Sequence, residues 1–240
     1  MLILGLNKTT LLDYPGRVAA TIFTGGCNFR CPFCHNGGLV LEPALQPSRT
    51  EDEILAFLNR RKRILKGVCI TGGEPTLQAD LAPFLRRIRE LGYLIKLDTN
   101  GYAPLVLDRL LGEGLVDYVA MDIKNCPEKY AYTAGFTGER KAEFSIKRVE
   151  KSINLLKKSG ISYEFRTTVV REFHRKEDFR EIGEWISGCP SYFLQQFQEN
   201  ENMIGQGYHG YNREEMEALQ REAELAPEMK GKVFLRGVER

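Results

Sequence analysis

One tryptophan and three histidines in 240 residues leave little material for a His–carboxylate or Ser–His relay, and the chain offers no such arrangement. A mechanism that needs no such general base fits that absence. No apolar run approaches the length of about 20 residues needed to cross a bilayer. The opening MLILGLNKTTLLDYPG has neither a basic leader nor a long apolar stretch, so a secretory signal is not expected. Charge of one sign is also missing: 34 basic and 32 acidic residues give a net +2, too weak a field to argue for nucleic acid or a membrane surface as partner. No internal repeat, low-complexity tract or linker divides the chain, and one domain over 1–240 is expected. A reducing, cytoplasmic setting follows, in which cysteines stay thiols.

What is present is concentrated. Thr24 to Asn36 reads TGGCNFRCPFCHN and carries Cys27, Cys31 and Cys34 behind a Gly-Gly turn. Thiols this dense in a chain without a secretion signal point to a metal centre rather than disulfides. A closed zinc site wants four N or S ligands, and His35, adjacent to Cys34, is strained as the fourth. An iron–sulfur cubane is larger and is ordinarily held by cysteine; three cysteines would leave its fourth iron open to a small molecule. Outside this loop, Cys69 lies in an apolar run and reads as core packing, Cys189 stands alone, and Cys126 falls in a loop behind another motif with no role assigned.

The remaining chain alternates. Candidate strands are Arg17–Phe23, Gly67–Thr71, Tyr93–Thr99, Val116–Ile123, Ser162–Val170 and Tyr192–Gln198. Candidate helices follow at Thr50–Arg63, Ala79–Leu91, Pro104–Leu111, Glu143–Lys158, Arg175–Ile186 and Arg213–Glu224, the first with a Thr50/Glu53 capping box. Strands alternating with helices imply parallel βαβ units, and right-handed crossovers in series curl such a sheet. Six units fall short of the complete barrel's eight and its typical length of about 250 residues. The expected fold is an α/β incomplete (β/α)6 TIM-like barrel, with a core over about 17–198 and a C-terminal helix and tail over 199–240.

Chemistry in such folds gathers at the C-terminal ends of strands, and the suspicious residues fall there. Gly72, Gly73 and Glu74 (TGGEP) follow the second strand; paired glycines let backbone approach a ligand closely. Asp98 and Asn100 (LDTNG) end the third and Asp122 and Lys124 (MDIK) the fourth, although Asp is depleted in strands. Asp98 and Asp122 are candidates to share a bound cation. Arg166, amid Phe165 and Thr167-Thr168 on the fifth strand, asks for a carboxylate partner if it faces inward. The sixth offers Gln195, Gln196 and Gln198. His174 and His209 read as solvated loop histidines, the latter in a loop (GQGYHGYN) suited to lie over an open side.

The spacing of the three cysteines, with Phe33 before the last, resembles the signature of the radical S-adenosylmethionine enzymes. Together with DYPG, GGEP, LDTNG and MDIK, it resembles the activating enzymes of glycyl radical enzymes, above all those of anaerobic ribonucleoside-triphosphate reductase. The resemblance implies a radical-SAM-type barrel and a 4Fe-4S cluster on Cys27, Cys31 and Cys34. It also implies S-adenosyl-L-methionine against Phe33, Gly72, Gly73, Glu74, Asp98, Asn100, Lys124, Arg166 and Gln198, with a monovalent cation near Asp98 and Asp122. The implied reaction is reductive cleavage of that cofactor by an electron from flavodoxin or ferredoxin. The resulting 5′-deoxyadenosyl radical takes hydrogen from a partner glycine. Leu39 to Arg49 has no cysteine, so one cluster is expected. The competing implications are activation of pyruvate formate-lyase and small-molecule chemistry of the 7-carboxy-7-deazaguanine synthase type.

Overall fold

The alternation becomes, in the computed structural model, which describes residues 1–238, one sheet of eight strands lying in chain order. β1 (Ile3–Thr10) runs antiparallel to β2 (Ala19–Thr24). Every later pairing is parallel, through β3 (Gly67–Gly72), β4 (Leu94–Thr99), β5 (Tyr118–Asp122), β6 (Ser162–Val169), β7 (Tyr192–Gln196) and β8 (Val233–Arg236). β1 and β8 end the sheet and are not paired with each other among the described residues, so the barrel is open. The six expected strands are β2 to β7. Two more extend the sheet beyond the expected 17–198 core. β1 was hidden by the turn residues of the LLDYPG segment behind it, and β8 by its four-residue length in the tail.

The connecting helices are α1 (Gly37–Leu41), α2 (Glu51–Arg61), α3 (Leu81–Glu90), α4 (Pro104–Gly112), α5 (Tyr130–Thr133), α6 (Ile146–Lys158), α7 (Lys176–Trp185) and α8 (Arg213–Glu224). The capping box forms at α2: the Thr50 hydroxyl accepts from Glu53 N at 3.2 Å, and the Glu53 carboxylate accepts from Thr50 N at 2.7 Å. α3 buries Leu81, Phe84, Leu85 and Ile88, the stripe read from its spacing.

The two faces of the sheet differ in kind. Strand alternation sends Val68, Ile70, Ile95, Leu97, Val119 and Phe165, all fully buried, into the hydrophobic core with the helices. The opposite, inner face carries Lys96 and Asp98 on β4, Tyr118 and Asp122 on β5, and Glu164 and Arg166 on β6. Its charges are paired, as buried charges must be. Lys96 pairs with Asp98, and Arg236 Nη1 lies 3.1 Å from Glu164, which also accepts from Tyr118 at 2.8 Å. Cys69 is fully buried, but within reach of Lys96 Nζ (3.8 Å) on this polar face rather than in the apolar core expected for it.

Candidate active site

The loop between β2 and α1 holds the three cysteines, and its root explains the paired glycines. Gly73 N donates to Thr24 O and Glu74 N to Gly26 O, both at 2.8 Å. A Cβ on Gly73 would stand 1.9 Å from Gly26 O, and one on Gly72, whose φ is +111°, would stand 2.4 Å from Thr24 N. The glycines are thus required by contact between the β3 terminus and the cysteine loop. Asn36 ties the far end of the loop to the same place, donating to Gly72 O at 2.8 Å.

Cys27, Cys31 and Cys34 all line one cavity of about 260 Å³ above the open ends of the strands. Phe33, Gly72, Gly73, Glu74, Asp98, Asn100, Lys124 and Arg166 line it too, so eleven of the twelve candidate residues converge. Gln198 does not. It is exposed beyond the end of β7 at Gln196, and Gln195, whose register partner is Thr168, lines the cavity instead. Alternation alone left the choice among Gln195, Gln196 and Gln198 open; register decides it, since Gln195 lies beside Thr168 on the face that carries Arg166.

Burial pushes the thiols of Cys27 and Cys31 up to about 12, and raises that of Cys34. Deprotonating all three here needs a cationic centre among them, as metal binding provides. N–H groups already address one of the sulfurs: Phe29 N lies 3.4 Å and Asn100 Nδ2 3.8 Å from Cys27 Sγ. Among the described residues, no three His, Cys, Asp or Glu side chains converge tightly enough for a single metal ion. Three cysteines lining one cavity suit a polynuclear cluster, whose irons are ordinarily held by cysteine.

Glu74 faces inward but is engaged by the protein. Oε1 accepts from Thr76 N (3.1 Å), Thr76 Oγ1 (2.5 Å) and Thr99 Oγ1 (2.7 Å), and Oε2 from Asn100 N (2.7 Å). Burial still raises its carboxyl above the usual carboxylate range, outweighing these donors. Only Oε2 keeps an unused lone pair for a ligand. Asn100 is in turn tied to the cysteine loop, donating to Asn28 Oδ1 at 2.8 Å.

The strand-end acids and bases form one chain of charge. Arg166 donates from Nε to Asp122 Oδ1 (2.8 Å) and from Nη1 to Asp98 Oδ2 (3.1 Å), and Lys124 Nζ reaches Asp122 Oδ2 at 3.0 Å. A guanidinium thus occupies the place between Asp98 and Asp122 where a shared cation was expected. Burial alone would raise both carboxyls, but Arg166, with Lys96 at Asp98 and Lys124 at Asp122, outweighs it. Asp98 is held below its ordinary value and Asp122 down to about 2. Burial likewise opposes the charge on Lys124, and Asp122 more than restores it.

His174, expected in solvent, is fully buried: Nε2 lies 2.8 Å from Lys124 O and Nδ1 3.1 Å from Val170 N and O. Its ring sits 6.4 Å from that of Phe33, so it supports both Lys124 and the cavity wall. A polar sequence neighbourhood concealed this, because the loop after β6 folds inward. His209 is exposed as expected, bonded to Glu172 at 2.7 Å. Cys126 is buried with its sulfur 3.9 Å from Asp178, away from the cavity.

An open, mostly parallel α/β barrel with three thiols above its strand ends is the build of a cofactor-dependent enzyme. The chain belongs to the radical SAM superfamily, whose signature spans residues 21–186. It is 37% identical over 82% of its length, and 80% of the relative's, to a Methanocaldococcus jannaschii protein named as a candidate glycyl-radical enzyme activating enzyme. A Clostridium pasteurianum pyruvate formate-lyase-activating enzyme is 32% identical over 60% of this chain and 61% of its own. A Pyrococcus abyssi protein named as a candidate GTP 3′,8-cyclase is 32% identical over 60% of this chain and 47% of its own. Among solved structures, Streptococcus suis SuiB bound to its precursor peptide SuiA superposes with a TM-score of 0.66 at 14% identity. That match covers 90% of this chain and 48% of SuiB, and the likeness is one of fold. The chain thus spans about half the length of the last two proteins. No described helix is long and apolar enough to cross a membrane.

Proposed function

We propose that this enzyme activates a glycyl radical enzyme, with anaerobic ribonucleoside-triphosphate reductase as the partner. The observation that carries the reading is the single cavity shared by Cys27, Cys31, Cys34 and the polar ends of β3 to β6. Cys27, Cys31 and Cys34 would hold a 4Fe-4S cluster. The chemistry such a cluster supplies is one-electron cleavage of S-adenosylmethionine, giving a 5′-deoxyadenosyl radical that takes a hydrogen atom from the α-carbon of a partner glycine.

The chain's own groups then have distinct tasks. Phe29 N–H and Asn100 donate toward Cys27 sulfur and favour its thiolate. Lys124 and the donors of Arg166 not engaged by Asp98 and Asp122 present fixed positive charge for the methionine carboxylate. Asp98 and the free lone pair of Glu74 offer acceptors for its ammonium. Phe33, held by Phe173 at a ring distance of 5.3 Å and by His174, forms an apolar wall for the adenine and keeps water away. Arg166 supplies the charge between the two aspartates, and we assign no monovalent cation there. The reaction uses one cytoplasmic domain over 1–240, a flavodoxin or ferredoxin as donor, and neither nucleic acid nor membrane. β1 and β8 are not paired with each other among the described residues, and the open barrel leaves room for a protein loop bearing the target glycine.

The test mixes anaerobically reconstituted enzyme, reductant and S-adenosylmethionine with anaerobic ribonucleotide reductase, and separately with pyruvate formate-lyase. A glycyl radical doublet in the reductase is the expected result. A doublet in the lyase alone reassigns the partner. Turnover of a free nucleotide or pterin without any partner overturns the activase reading.

A further inference from the structure

Cys27 is the one cysteine of the three that lines a second, more open groove on the outer side of its loop. The groove carries three arginines, two of them held on aromatic rings. Arg140 stands 4.7 Å from the Phe136 ring and donates to Asn28 O at 2.8 Å. Arg148 lies 4.9 Å over Tyr102, and Arg30 donates to Phe29 O at 2.8 Å. Stacking on a ring holds a guanidinium in place and lowers the entropic cost of using it. The only acid lining the groove is Glu143, 3.8 Å from Arg140 and largely exposed. Neither Arg30 nor Arg148 forms an ion pair within 4.0 Å among the described residues. Elsewhere several arginines are paired, as Arg180 with Glu184, Arg213 with Glu217 and Arg236 with Glu164. In a nearly neutral chain this is a local surplus of positive charge beside Cys27.

We propose that this groove docks an acidic one-electron carrier protein and that the electron enters through Cys27. The carrier is oxidised by one electron and the centre held by the three cysteines is reduced by one; no atom or proton is exchanged. The interface is small and electrostatic, so association is salt-sensitive and transient, as redox encounters are. The inference rests on the proposed radical chemistry for its purpose, but the docking itself can be measured without turnover.

The probes are a flavodoxin, a ferredoxin, dithionite and pyrophosphate, used on the anaerobic holoenzyme. Calorimetric titration with oxidised flavodoxin should show binding that weakens with salt. Arg148→Glu should weaken it at least about fivefold, with Arg148→Gln intermediate, and Lys62→Glu, a matched reversal at the end of α2, should leave it unchanged. Flavodoxin-driven cleavage of S-adenosylmethionine should slow in step, while dithionite-driven cleavage holds its rate. If both carrier proteins bind Arg148→Glu as well as wild type, the proposal is overturned. It is equally overturned if pyrophosphate occupies the groove without competing with either carrier. Absence of dithionite-driven cleavage in the wild type would instead remove the radical reading and leave the docking result to stand or fall on the titrations.

Discussion

Replacing Arg166 by methionine removes the guanidinium that bridges β4, β5 and β6 from the inside. Asp98 and Asp122 would keep Lys96 and Lys124 but lose their shared partner. Breaking a buried ion pair from one side costs about 3–5 kcal/mol. The retained lysines and the partial exposure of Asp122, 30% for its side chain, lower this to about 2–3 kcal/mol. For a chain of this size that is a fall of roughly 5–10 °C in Tm. The pH dependence has a definite sign. Folded-state pKa values of both aspartates lie below their unfolded values, so the stability they contribute is present above about pH 4 and lost as pH falls toward about 2. Without Arg166, burial raises them, so the deficit of the variant is largest at neutral pH and narrows toward about pH 4–5. Urea denaturation of the cluster-free, reduced chain, followed by circular dichroism at neutral and mildly acidic pH, reads this directly. Adding Asp122→Asn to Arg166→Met should recover nothing and cost further stability, since it strips the largely buried Lys124 of its carboxylate partner. A deficit that is constant or grows on acidification, or a double variant more stable than the single one, would refute the reasoning.

Cys31→Ala or Cys34→Ala should abolish iron binding and S-adenosylmethionine cleavage, whereas Cys69→Ala, on the inner face beneath the site, should retain full iron content by metal analysis. Gly73→Ala puts a Cβ 1.9 Å from Gly26 O and must push the cysteine loop off β3. It should lose most reconstituted iron while keeping its far-UV circular dichroism. Because Arg166 already fills the space between Asp98 and Asp122, exchanging sodium, potassium and tetramethylammonium at fixed ionic strength should change S-adenosylmethionine affinity by less than about twofold. A specific requirement for one ion would contradict that assignment.

The barrel was largely legible because its outer strand positions are apolar and its helices carry clear stripes, as in α3. The N-terminal strand and the last were not, since β1 pairs antiparallel outside the βαβ rhythm and β8 is too short to show a period. The cysteine loop and strand-end polar residues were legible from residue type and position alone. Their mutual bonding was not: nothing in the spacing says that Glu74 braces the Asn100 turn, that Gly73 is demanded by Gly26, or that Arg166 answers two aspartates at once. His174 was misread for the same reason, because burial of a loop residue is decided by what folds over it. Gln195 could not be singled out until the register of β7 against β6 was known.

The central claim is that three cysteines hold a cluster with one iron left for S-adenosylmethionine. Electron paramagnetic resonance of the anaerobically reconstituted, reduced protein tests it, read before and after adding the cofactor alongside iron analysis. The account predicts about four irons per chain and a cluster signal whose shape and g-values change when S-adenosylmethionine binds. A fully loaded cluster whose signal is indifferent to saturating S-adenosylmethionine would contradict it.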